Sequence, residues 1–157
     1  MKTLPLAIAA LAFATPLLAH PDHNESEATS PEQVGTEYMV METSADEAAQ
    51  GPFLRGLALL HNFEYPRAAE AFREAQAADP DFVMAYWGEA MTHNHPLWAE
   101  QDFEAAHAVL GKLGATPADR AAKARNAREV DCLGAVETIY GVGTKQERDL
   151  AYLAYLR

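Results

Sequence analysis

A single cysteine, Cys132, in 157 residues excludes any disulfide within the chain. Flanked by Val130, Leu133 and Val136, it reads as a small buried hydrophobe rather than a reactive thiol. Basic residues are also scarce, with 12 Lys and Arg against 23 Asp and Glu and a net charge of −11. That balance excludes the broad basic footprint that holds nucleic acid and disfavours docking on anionic lipid. There is no glycine-rich phosphate loop, no His-Glu-x-x-His pair and no serine in a nucleophile-elbow context. Ser26, Ser30 and Ser44 fall in a polar leader or at a helix cap. No apolar run reaches the roughly 20 residues that a membrane span needs.

The apolar run that does occur is an address. Lys2 supplies the positive start, Leu4 to Phe13 is almost unbroken, and Ala19 offers a small residue for cleavage. Residues 1–19 therefore read as a signal peptide, with export to the periplasm or cell exterior and no membrane span after cleavage. Residues 20–43 are acidic, broken by Pro21 and Pro31, and read as a flexible leader. Within it, Tyr38 to Met41 is a brief apolar run able to dock on the first helix. A copper site at the new amino terminus is disfavoured, because Pro21 lacks the amide nitrogen and His23 stands fourth rather than third.

Helical patterning covers residues 44–157. Thr43-Ser44 ahead of Asp46-Glu47 predicts a capped helix start, with a kink or restart near Gly51-Pro52. Gly56, Leu57 and Leu60 mark one face of a first helix, with Phe53 beside Pro52. Asn62 to Pro66 predicts a turn, and Ala68, Ala71, Phe72 and Ala75 the apolar stripe of a second helix. Asp79-Pro80 stops it. The pattern then recurs: Ala90 falls 34 positions after Gly56, and Ala105, Ala106, Ala108 and Val109 follow Ala68, Ala69, Ala71 and Phe72 by 37. About three extra residues must therefore lie near Thr92 to Trp98, and Thr116-Pro117 repeats the stop. A third, stretched copy runs from Ala127 through Leu133 and Ile139 to Tyr140. Gly141-Val142-Gly143 breaks it before a helix capped by Thr144, with Ala151 and Tyr155 echoing Ala68 and Phe72.

The segment from Gly56 to Pro80, followed by Met84-Ala85-Tyr86-Trp87-Gly88-Glu89-Ala90, resembles the tetratricopeptide helix-turn-helix repeat. It is similar to a group of exported bacterial proteins of this type whose biochemical role is mostly unassigned. The resemblance implies an all-α solenoid of stacked helical hairpins, whose first helices line a concave groove for a protein or peptide partner. Because the last helical pattern runs to Arg157 with no stop or polar capping helix, the chain is expected to be the N-terminal piece of a longer protein.

Carried onto this sequence, the resemblance gives the groove residues as His61, Asn62, Tyr86, His93, Asn94, His95 and Trp98. His93-Asn94-His95-Pro96-Leu97-Trp98 is the sharpest local constellation. Pro96 is expected to end the inner helix at His95, leaving imidazoles at a helix C-terminus. Two uses follow. His61, His93 and His95 can coordinate zinc or copper, making this a metal-binding periplasmic protein or a metalloenzyme component, or can hydrogen-bond an anionic partner. Alternatively, the histidines satisfy backbone carbonyls at the helix end, and Trp98 plugs the core. No cofactor is otherwise implied. Of the adjacent aromatics, Trp87 is expected inside and Tyr86 towards the groove, while Glu64, Glu70 and Glu74 form a solvated face.

Overall fold

A computed structural model describes residues 35–36 and 39–155. Residues 1–34, 37–38 and 156–157, and with them the expected signal peptide, His23, Tyr38 and Arg157, lie outside the described residues. Seven α-helices account for most of the rest: α1 (Glu47–His61), α2 (Tyr65–Ala78), α3 (Val83–Met91), α4 (Phe103–Leu113), α5 (Pro117–Ala121), α6 (Ala127–Ile139) and α7 (Lys145–Tyr155). Two two-residue strands, β1 (Asn94–His95) and β2 (Glu100–Gln101), pair antiparallel between α3 and α4. The chain is therefore predominantly helical, as its patterning predicts.

The α1–α2 hairpin follows from small residues at the contact. A three-residue turn, Asn62 to Glu64, leads into α2, where Pro66 stands in the first turn and lacks only an N–H with no intrahelical partner. Ala68, Ala71, Phe72 and Ala75 are all buried. The Phe72 ring lies between Gly56 of α1 and Gly88 of α3. A Cβ at Gly56 would stand 2.8 Å from the ring, and one at Gly88 would overlap it. Glycine at both positions lets the two helices close on one aromatic ring. Phe53 and Phe82 extend that core, with ring centroids 5.1 Å apart. A second cluster joins Val83, Tyr86 and Ala90 of α3 to Val109 and Leu113 of α4 and to Leu133, Val136 and Tyr140 beyond. Helix α3 belongs to both clusters, and it also packs against α1 and α6.

Four local expectations are corrected. Helix α1 runs unbroken through Pro52. The proline forfeits one hydrogen bond to the Ala48 carbonyl, at an exposed residue, while its neighbour Phe53 anchors the helix in the core. Thr43 and Ser44 do not cap that helix, since Asp46 is the N-cap residue. Ser44 instead donates its hydroxyl to Glu129 on α6. Helix α3 ends at Met91 with Thr92 as C-cap, four residues before Pro96. Residues before proline prefer extended backbone, and here that preference places Asn94 and His95 in the ladder with Gln101 and Glu100. Thr116-Pro117 starts a helix rather than stopping one. Asp119 N–H donates to Thr116 Oγ1 at 3.2 Å and Thr116 N–H to Asp119 Oδ2 at 3.0 Å, a reciprocal capping box.

Residues 39–46 cross the helices as an extended strap. Met39 and Met41 pack on the first core cluster, whereas Val40 is 93 % exposed. Polar pins hold the end nearest α1. Arg125 donates to both Asp79 oxygens at 2.7 and 2.8 Å and to the Ser44 carbonyl at 2.7 Å, and the Asp46 N–H donates to Asp79 at 3.1 Å. The Arg125 guanidinium holds the Asp79 carboxyl below its usual range against the opposing effect of burial, and the Asp46 amide adds to it. A carboxyl with a depressed folded pKa stabilises the fold above its unfolded pKa of about 4. That contribution is lost as pH falls through the folded value. Replacing Arg125 by glutamine should cost about 2 kcal/mol at pH 7 and flatten the acid limb of the stability profile. Denaturant titrations of both proteins between pH 7 and pH 3 check this.

Candidate functional site

An aromatic surface forms where the α1–α2 turn meets the β1–β2 hairpin. Tyr65, the first residue of α2, stacks on His95 of β1 with centroids 4.0 Å apart and planes at 24°. Trp98 stands edge-on to that stack, 6.4 Å from Tyr65 and 6.3 Å from His95, and Phe63 lies 6.2 Å from Trp98. The hairpin presents Trp98 by a short 3-10 turn, Pro96–Trp98, closed by Ala99. Asn94 accepts a bond from the Gln101 amide at 3.3 Å, and the Asp102 N–H donates to the His93 carbonyl at 2.9 Å. Arg148 of α7 secures the far strand through Gln101 and lies over the Phe103 ring at 5.2 Å.

Two backbone conformations flank these rings. Phe63 has φ 62° and Ala99 has φ 55°, both in the left-handed region, which disfavours residues with a Cβ by about 1–2 kcal/mol. Strained backbone of this kind concentrates at functional sites. Here it turns out Phe63 at one end of the patch and completes the Trp98 turn at the other. Phe63 is 51 % exposed, Trp98 57 % and Leu97 70 %. Beside them opens a concavity of about 350 Å³ lined by Leu60, His61, Phe63, Tyr65, Trp87, Met91, Asn94 and Pro96.

Some expected site residues meet here and others do not. His61 and Asn94 line the concavity, and His95 and Trp98 belong to the adjoining ring cluster. Asn62 is exposed at the end of α1 and is not among the lining residues. His93 is half-buried; burial lowers its imidazole pKa, with the carboxylates of Asp102 and Glu89 opposing. Tyr86 does not face the groove. It is buried in the second cluster and donates its hydroxyl to the Pro80 carbonyl at 2.9 Å, while half-buried Trp87 lines the concavity. The expected order of these two aromatics is thus reversed, because α6 closes over the Tyr86 side of α3. Nor is Trp98 a core plug, since more than half of it meets solvent.

Two of the three candidate histidines do satisfy main-chain carbonyls. His61 Nδ1 donates to the Leu57 carbonyl at 2.8 Å and His95 Nε2 to the Thr92 carbonyl at 2.9 Å. His95 Nδ1 lies 3.6 Å from Glu100. Among the described residues, no three His, Cys, Asp or Glu side chains converge at metal-ligand spacing. Cys132 is partly buried against the first core cluster, and burial pushes its thiol pKa up. Phe63, Tyr65 and Met91 were not among the expected site residues, and Leu60 was expected only on the apolar face of the first helix. Phe63 lies in the turn and Tyr65 at the first position of α2, within the stretch 62–66 expected as a turn, where an aromatic pair carries no helical period; their signal was two large rings where turn residues are usually small or polar. Comparison with protein-family models, with curated proteins and with solved structures returned no match.

Proposed function

We propose that this chain is an exported helical-repeat module of tetratricopeptide type that holds a protein or peptide partner against its aromatic face. The reading rests on one observation: Phe63, Leu97 and Trp98 stand outward around an apolar concavity in a strongly acidic chain. Contiguous exposed apolar residues of this kind mark interaction sites, and aromatic anchors dominate binding energy in them. The succession of neighbouring contacts, α1 with α3 and α3 with α6, supports a repeat stack. The acidic surroundings favour a partner with basic residues beside its apolar anchor.

Selection of displayed peptides on the full chain tests this. Enriched sequences should carry an aromatic or long aliphatic residue flanked by Lys or Arg. Trp98→Ala should weaken them about 30-fold, near 2 kcal/mol, with no change in melting temperature. Peptides that bind the Trp98→Ala protein equally well would refute the assignment.

A further inference from the structure

The seam between α1 and α3 is already half occupied by the chain itself. Leu54 of α1 lines an open cavity beside Met39 and Met41 of the strap, and Met84 of α3 lines another with Met41. The aromatic concavity is lined by His61 and Met91. Leu54 and His61 are seven residues apart on α1, as are Met84 and Met91 on α3. Seven residues is close to two helical turns, so each pair shares one side of its helix, about 10 Å apart along it. Strap and concavity therefore lie along the same seam.

The strap is seated in the manner of a bound peptide. Met39 and Met41 point inward and Val40 outward, the alternation of an extended chain. The Gln50 amide donates to the Met41 carbonyl at 3.1 Å, and Arg128 donates to the Glu42 carbonyl at 3.2 Å. Open concavities flank it on both sides. A cavity of about 450 Å³ lies between the strap and the start of α6, and one of about 480 Å³ on its other flank. Its firm attachment is the cluster of pins at Ser44 and Asp46, where Arg125, Asp79 and Glu129 converge.

We infer that residues 39–46 are an exchangeable, cis-bound occupant of the α1–α3 groove, tethered at the Ser44–Asp46 end and able to lift at the methionine end. A partner segment that extends down the seam competes with the strap, so apparent affinity depends on how readily the strap opens. This rests on reading the seam as a peptide groove, and the two claims fail separately.

The test uses a fluorescein-labelled peptide of this chain's own residues 39–46 and the full-length protein. Met39→Ser with Met41→Ser weakens the resident strap and leaves the groove intact. By fluorescence anisotropy, the doubly substituted protein should bind the peptide at least 10-fold more tightly than wild type. A peptide carrying serine at both methionine positions should bind neither. If the double variant fails to fold by circular dichroism, the single variant Met39→Ser, which alters the strap and no groove residue, should show a gain in the same direction. Equal binding by wild type and variant, or no binding by a folded variant, overturns the exchangeable strap. Peptides that still need Trp98 would then leave the proposed function standing, whereas their absence would remove that too.

Discussion

Phe72→Ala should lower the unfolding free energy by about 3–5 kcal/mol, the range for removing a fully buried aromatic ring. The ring has no exposure: Phe53 lies 5.9 Å away, and Gly56 and Gly88 both stand so close that a Cβ at either would clash with it. The site cannot collapse cheaply, because the glycines have no side chains to move into the void. Small domains have only about 5–15 kcal/mol in total, so the midpoint in urea should fall sharply. A loss below about 1 kcal/mol, read by far-ultraviolet circular dichroism, would contradict the packing of α1, α2 and α3 around this ring.

The converse error should be nearly as damaging. Gly88→Val places methyl groups where the Phe72 ring already stands, so α3 must move away from α2. Overpacking typically costs 1–3 kcal/mol, and a β-branched residue facing a ring that cannot retreat should lie near the upper end, about 3 kcal/mol. Gly88→Ala combined with Phe72→Leu should cost less than the sum of the two single changes, by about 1 kcal/mol, because the smaller side chain relieves the overlap. Additive costs would mean that the two residues do not meet. Equilibrium denaturation of the four proteins measures this coupling.

How far the fold was legible depends on the reach of each determinant. Ala68, Ala71, Phe72 and Ala75 mark α2 because its buried stripe repeats every three or four residues within one helix. Asp79-Pro80 ends that helix by a clash between adjacent residues. The orientation of Tyr86 and Trp87 was not legible. Successive helical positions differ by about 100°, and which one turns inward depends on Leu133, Val136 and Tyr140, some 50 positions away. The β1–β2 hairpin was foreshadowed only as extra residues near Thr92 to Trp98. Strands of two residues have no measurable alternation, and their pairing depends on Asn94 meeting Gln101 and on Arg148 of α7. The expected site residues His61, Asn94, His95 and Trp98 lie along one surface, but Phe63 and Tyr65 complete it through tertiary contact alone.

The chain contains two tryptophans, and both Trp87 and Trp98 belong to the proposed partner surface. Their two indole N–H signals in a nitrogen-15 spectrum therefore report on that surface, Trp98 from its exposed rim and Trp87 from its floor against the core. Titration with a peptide selected on the full chain should shift both signals together and saturate them at one equivalent. A peptide that binds at that stoichiometry while both indole signals stay in place would contradict the assignment of this face as the partner site.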